Sequence, residues 1–232
     1  MTVADRFFFL HMQKTAGTSL WQRLNQAFSR EQLYPGEHDG QKPDVTILPE
    51  AAIAAVDARG DEIRVVTGHF PLCTAELLGG GFRTFTVLRH PVERTLSSLR
   101  HYREKTPGMA DVPLAELYED PWRRLVIRNH MVKMLSLTVE EMTGGMLTEV
   151  EFTPARLERA IAALDTIDVV GIQTRFEPFC NELARRFDWD LGPPRYANRT
   201  GRADAPEDLV ARIVEDQADD IALFDYGTTI AV

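Results

Sequence analysis

The chain reads as a single α/β domain, a mainly parallel sheet flanked by helices, and three observations predict it. Apolar strand-like runs at about 6–11, 63–67, 84–88 and 168–172 alternate with stretches of helical pattern. No repeat or low-complexity segment divides residues 1–232. Three groups that can meet an anion, Lys14, His69 and Arg89, each lie just past the end of a strand. In open parallel sheets ligands bind beyond the carboxyl ends of the strands, so one crevice would receive all three.

The elements follow in order. Phe7 to Leu10 is a buried strand that stops at His11. Small residues turn the chain, and a helix covers about 17–28. Residues 34–46 hold Pro35, Gly36, Gly40 and Pro43 and read as a loop. A helix near 49–58 leads to the strand at 63–67. Gly79, Gly80 and Gly81 turn the chain into the strand at 84–88. Pro91 suits the first position of a helix running to about 104. Helical patterns follow at 122–137 and 154–165, then the strand at 168–172 and a helix at about 175–187. Pro193, Pro194, Asn198 and Gly201 mark a loop before a last helix at 206–223.

Composition excludes several classes. Hydrophobic content of 44% and charged content of 26% describe a globular chain, not a disordered one. No apolar run approaches the ~20 residues that span a bilayer, and the N-terminus lacks the form of a signal peptide. A cytoplasmic protein without membrane partners is the expectation. The two cysteines, Cys73 and Cys180, have neither metal-ligand nor disulfide-framework spacing and should be small buried residues. The net charge of −9 argues against a nucleic-acid polymer as partner. That charge is uneven: residues 203–232 carry eight acids and one arginine, whereas 89–105 carry five basic residues and two acids. A basic patch on an acidic protein suits a small anionic ligand.

The segment His11-Met12-Gln13-Lys14-Thr15-Ala16-Gly17-Thr18-Ser19 carries the most chemistry. A strand, a tight turn of small residues and a helix start aim backbone N–H groups and a helix dipole at one point. Lys14 and the hydroxyls add charge and donors. In the second segment, Arg89 ends a strand and Ser97 lies two turns into the next helix. On a helical wheel Val92, Leu96 and Leu99 share a face, leaving Arg94, Ser97 and His101 on the other side to meet a ligand. An arginine fork with a hydroxyl suits phosphate. In the third segment, Gly68-His69 places an imidazole where a proton is to be accepted near neutral pH.

Together these segments resemble sulfotransferases that use 3′-phosphoadenosine 5′-phosphosulfate (PAPS). The likeness is to the branch of the heparan sulfate 2-O-sulfotransferase and its bacterial relatives. QKTAGTS here is similar to that family's PKTAGTS-like loop, with Gln13 where proline is usual. Arg89, Pro91, Arg94 and Ser97 match an RxPxxRxxS-like motif. Gly68-His69 matches the family's catalytic-base pair, and Val170-Gly171-Ile172 and Asn198-Arg199-Thr200 resemble later cofactor-side elements.

The resemblance implies a P-loop-like nucleotide-binding core and a hydroxyl acceptor of carbohydrate or small-molecule type. The donor would be held by Lys14, Thr15, Ala16, Gly17, Thr18 and Ser19 on its 5′ side. Arg89 and Ser97 would hold the 3′-phosphate, and Arg199 and Thr200 would add to the cofactor side. His69 would be the base, and Lys14 would stabilise the leaving phosphate. No metal is expected, because the transferred SO₃ unit carries less charge than a phosphoryl group. Residues 122–137, with Arg123, Arg124, Arg128, Asn129, His130 and Lys133, either line the acceptor side or form a solvated face. The rival readings are a P-loop nucleotide kinase and a non-catalytic nucleotide-binding module. The kinase loop places glycine upstream of its lysine, whereas Lys14 here precedes Gly17. The module would not need His69.

Overall fold

A computed structural model describes residues 5–37, 39–40, 48–193 and 205–232. Five strands form one sheet: β1 (Arg6–Leu10), β2 (Leu33–Tyr34), β3 (Val65–Gly68), β4 (Phe82–Leu88) and β5 (Val169–Ile172). Their order is β2-β3-β1-β4-β5, and every pair is parallel. The central strand β1 matches Phe9 to Thr67 on one side and to Phe85 on the other.

Alternation along β1 divides the core. Phe7 and Phe9 face a cluster with Leu20 and Leu24 of α1 (Gly17–Ala27) and Phe179, Cys180 and Leu183 of α9 (Phe176–Phe187). Phe8 and Leu10 face the larger cluster, where Leu96 and Leu99 of α4 (Pro91–Lys105) pack with Leu164 of α8 (Pro154–Asp165). Helices thus cover both faces, as a parallel sheet requires. Both cysteines are buried free thiols, and burial pushes each up to about 12. Among the described residues no helix is long and apolar enough to cross a membrane.

The sheet and the helices beside it lie close to the predicted positions. Other elements differ. β2 is too short for periodicity to betray it, and it falls at the start of the expected loop. The helix α2 (Pro49–Arg59) starts as expected, but α3 (Thr74–Leu77) and α5 (Leu114–Glu119) are additional short helices. The expected helix over 122–137 is two, α6 (Pro121–Ile127) and α7 (His130–Ser136). The expected helix over 206–223 is also two, α10 (Glu207–Asp216) and α11 (Ala218–Ile230).

The two breaks lock together. Asn129, at φ 38°, donates its N–H to Gln217 Oε1 at 2.9 Å and accepts from Asp220 N at 3.1 Å. The Asp220 carboxylate accepts from Met131 N at 3.1 Å and Val132 N at 2.8 Å. It caps the first turn of α7 from across the fold, where Asn129 supplies no side-chain cap of its own. The acidic C-terminal segment is therefore partly structural, because its carboxylates satisfy donors on α5, α6 and α7. Asp216 likewise accepts from Tyr118 Oη at 2.9 Å and Arg124 Nη2 at 3.4 Å.

Candidate functional site

β1 and β4 are neighbours whose outgoing connections leave toward opposite edges of the sheet, since β1 leads to β2 and β4 leads to β5. That arrangement opens a crevice past Leu10 and Leu88. The loop 11–16 fills its floor. Lys14 at φ 66° and Ala16 at φ 74° both take the left-handed conformation without being glycine. Two such residues within three positions cost about 1–3 kcal/mol each and mark an over-determined turn. Thr15, fully buried, closes the turn by donating its hydroxyl to Met12 O at 2.9 Å. Ala16 is the N-cap of α1 and offers no side-chain cap to the helix's first N–H groups. A donor-rich helix start behind a lysine has the chemistry of an anion cradle.

Arg89 meets the same loop. Its Nη1 donates to Lys14 O at 3.1 Å, and its Nη2 lies 3.5 Å from Glu93 Oε2 one turn along α4. The arginine expected to hold a phosphate is thus docked on the backbone of the lysine expected to hold the other.

Three histidines close the crevice. His69 follows β3, is 4% exposed, and donates Nδ1–H to His11 O at 2.8 Å. Because a carbonyl only accepts, that bond fixes the proton on Nδ1 and leaves Nε2 as the basic nitrogen. His11 packs its ring 4.4 Å from that of His69 and stacks on Phe9 at 5.0 Å. Burial, then the charges of His69 and Lys14, hold the His11 imidazole well below the usual range. Gly17 is required above it, since a Cβ there would lie 1.6 Å from His11 Nε2.

His130, at the start of α7, donates Nδ1–H to Val126 O at 3.1 Å and accepts from Gln13 N at 3.3 Å through Nε2. Burial, then Arg94 and Lys133, keep it well below the usual range, so it stays an acceptor for the loop. Lys133, buried and donating to Leu125 O at 2.6 Å, is brought down to about 8, by burial first and Arg94 second.

The structure corrects the helical-wheel reading of α4. Arg94 is not on an open face: it is 0% exposed, donates to Ile127 O at 2.6 Å and stands 3.7 Å from Asp220. Its charge is matched internally, because Ile127 O of α6 and Asp220 of α11 close over the side of α4 that the wheel left open to a ligand. Ser97 is buried too, at 4% exposure, and His101 is exposed. Thr15 is fully buried and its hydroxyl proton is spent on Met12 O, so its side chain offers the crevice no donor. Lys14, Ala16, Gly17, Thr18, Ser19, His69 and Arg89 lie around the loop and its helix start. Arg199 and Thr200 lie outside the described residues.

Sequence reasoning named His130 only as one of the 122–137 residues and did not foresee its bond to the loop, and it underrated His11. The only signal for His130 was its spacing from Val126, one helical turn upstream. In the segment 122–137, Asn129, His130 and Lys133 are buried on internal partners and so do not form a solvated face, whereas Arg123, Arg124 and Arg128 are not buried.

Two concavities matter for placing ligands. The larger, about 490 Å³, runs along the outer side of α1 by Trp21, Asn25 and Phe28, away from the crevice. A smaller one of about 190 Å³ adjoins the loop at Gln13. Among the described residues no group of three or more His, Cys, Asp or Glu side chains is placed to hold a metal. No protein-family model matches the chain, and no curated protein is significantly similar to it.

Proposed function

We propose that the chain is a PAPS-dependent sulfotransferase acting on a hydroxyl, with the crevice past β1 and β4 as its active site. The observation that carries this is the convergence of Lys14, Arg89 and His69 from three strand ends, with Arg89 seated on the Lys14 carbonyl. The central strand, tight loop and helix in an all-parallel sheet support a P-loop-like nucleotide-binding core. The donor nucleotide fits this set by its chemistry. One anionic group belongs at Lys14 and the first N–H groups of α1. A second belongs at Arg89 with Ser97.

In this reading the acceptor oxygen forms a bond to sulfur while the bond from sulfur to the 5′-phosphate oxygen breaks. His69 takes the acceptor's proton on Nε2, and the bisphosphate leaves with the added negative charge. Lys14 and the loop N–H groups stand where that charge grows, which is the interaction that speeds a reaction. His11 O holds the base in the correct tautomer.

Melting of the protein with nucleotides tests the proposal. Adenosine 3′,5′-bisphosphate should raise the midpoint strongly and ATP weakly, since a ligand bound only by the native state stabilises it. Equal shifts would favour a triphosphate site and the kinase reading. Transfer of labelled sulfate from PAPS to a hydroxyl acceptor then separates an enzyme from a binding module.

A further inference from the structure

We propose that the pocket beside Gln13 seats the acceptor, and that the acceptor is a small hydroxyl compound built on a single ring rather than a glycan chain. This rests on the sulfuryl-transfer reading above. The pocket holds about 190 Å³, below the ~300–1,000 Å³ of sites for drug-sized ligands, so it admits one ring and not a chain of sugars. Its walls carry apolar side chains at Val126, Ile127, Met146, Leu147 and Trp122, while the surface they leave open is about equally polar and apolar. Val126, Ile127 and Met146 are buried, so these walls are formed before any ligand arrives. Trp122 is 55% exposed, an uncommon placement for the largest apolar side chain and a flat surface for a ring to cover. The polar lining consists of Gln13, Ser98 and Arg123, the last held over the Tyr102 ring at 3.1 Å.

Gln13 ties this pocket to the chemistry. It directly precedes Lys14, its backbone N–H donates to His130 Nε2, and its Nε2 reaches Met146 Sδ at 3.6 Å. A proline here, as in the family the loop resembles, would have neither the N–H nor the amide. The residue that departs from that pattern is the one that joins loop to pocket wall. The assignment puts the ring's hydroxyl at the Gln13 end of the pocket, the end adjoining Lys14 in the loop.

Calorimetric titration of 4-nitrophenol into protein saturated with adenosine 3′,5′-bisphosphate tests the assignment. The phenol should bind saturably in the presence of the nucleotide, and maltohexaose should not bind. Trp122→Ala should weaken the phenol roughly three- to tenfold, the range of one aromatic contact. Leu147→Trp should abolish its binding by filling the space. Both variants should keep the wild-type melting shift with the bisphosphate; Trp122→Ala removes an exposed side chain and carries the test should Leu147→Trp not fold. Absent phenol binding with an intact nucleotide shift overturns the pocket and leaves the sulfotransferase reading standing. Displacement of the phenol by the bisphosphate also overturns it, because the pocket then belongs to the adenine. Unchanged phenol affinity in Trp122→Ala, or tight maltohexaose binding, does the same. A missing nucleotide shift removes the underlying reading and this inference with it.

Discussion

His69 Nε2 is basic because His11 O occupies Nδ1–H, so its proposed task is separable from nucleotide binding. His69→Ala should therefore retain bisphosphate affinity and lose transfer by about 10²–10⁴, the span of a general base. The wild-type rate should rise with pH as the imidazole deprotonates, and the variant should lack that limb. A His69→Ala enzyme with wild-type turnover would hand the role to another group. Arg89 allows a sharper comparison. Its truncation should cost the 3′,5′-bisphosphate about 1.5–3 kcal/mol, as a charge-assisted contact does. It should cost 5′-AMP much less, since 5′-AMP lacks the 3′-phosphate. The 5′-AMP arm also absorbs whatever the loop loses when Lys14 O loses its donor; equal losses would place Arg89 off the 3′ side. At this scale the sequence was most informative about residues just past strand ends, where Lys14, His69 and Arg89 follow apolar runs. It was least informative about Arg94 and His130. Their environments are made by α6, α7 and α11, which no local pattern places against α4.

The loop and α1 behave as one element, and its geometry depends on what lies beneath it. Gly17 sits where a Cβ would strike the His11 ring, and that ring cannot retreat because Phe9 and His69 hold it. Gly17→Ala should destabilise the protein by about 1–3 kcal/mol, the cost of overpacking a full site. It should also lower nucleotide affinity, because the shift moves the first N–H groups of α1. Denaturant midpoints and bisphosphate titrations check both, and an unperturbed variant would show the ring free to move. The small residues of this turn were legible as a turn, and the helix start at Gly17 matched. The long helices were not legible as broken. Residues 122–137 and 206–223 each keep a helical pattern, but Asn129 and Gln217 interrupt them to bond each other. That exchange is tertiary: each break satisfies the other's orphan backbone groups, and neither exists without its partner. β2 escaped for a simpler reason, being two residues long.

Across the whole molecule, the buried imidazoles couple the site to stability. His11 and His130 are both held below the ordinary histidine range of about 6.5, mainly by burial. Near pH 8 neither the native nor the unfolded chain protonates them, and they contribute nothing to the pH dependence. As pH falls through about 6.5 the unfolded chain binds protons that the native chain refuses, so stability must fall. The limiting slope is about 1.4 kcal/mol per pH unit for each histidine. Around His11 stand His69 and Lys14, and around His130 stand Arg94, Lys133 and His69; all oppose protonation. Asp220 acts in the opposite sense, because burial raises its carboxyl above the ordinary carboxylate range against the pull of Arg94 and the Val132 and Met131 N–H groups. The comparison that isolates the histidines is with His130→Gln, whose side-chain oxygen can still accept from Gln13 N. Urea midpoints for wild type and His130→Gln at pH 8, 7, 6 and 5 should converge in their slopes above pH 7. Below it the wild type should fall more steeply, by up to about 1.4 kcal/mol per unit. Parallel slopes down to pH 5 would mean that His130 takes up a proton in the folded protein. Its Nε2 would then be lost as the acceptor that anchors Gln13, and the loop at Lys14 would carry a pH dependence of its own.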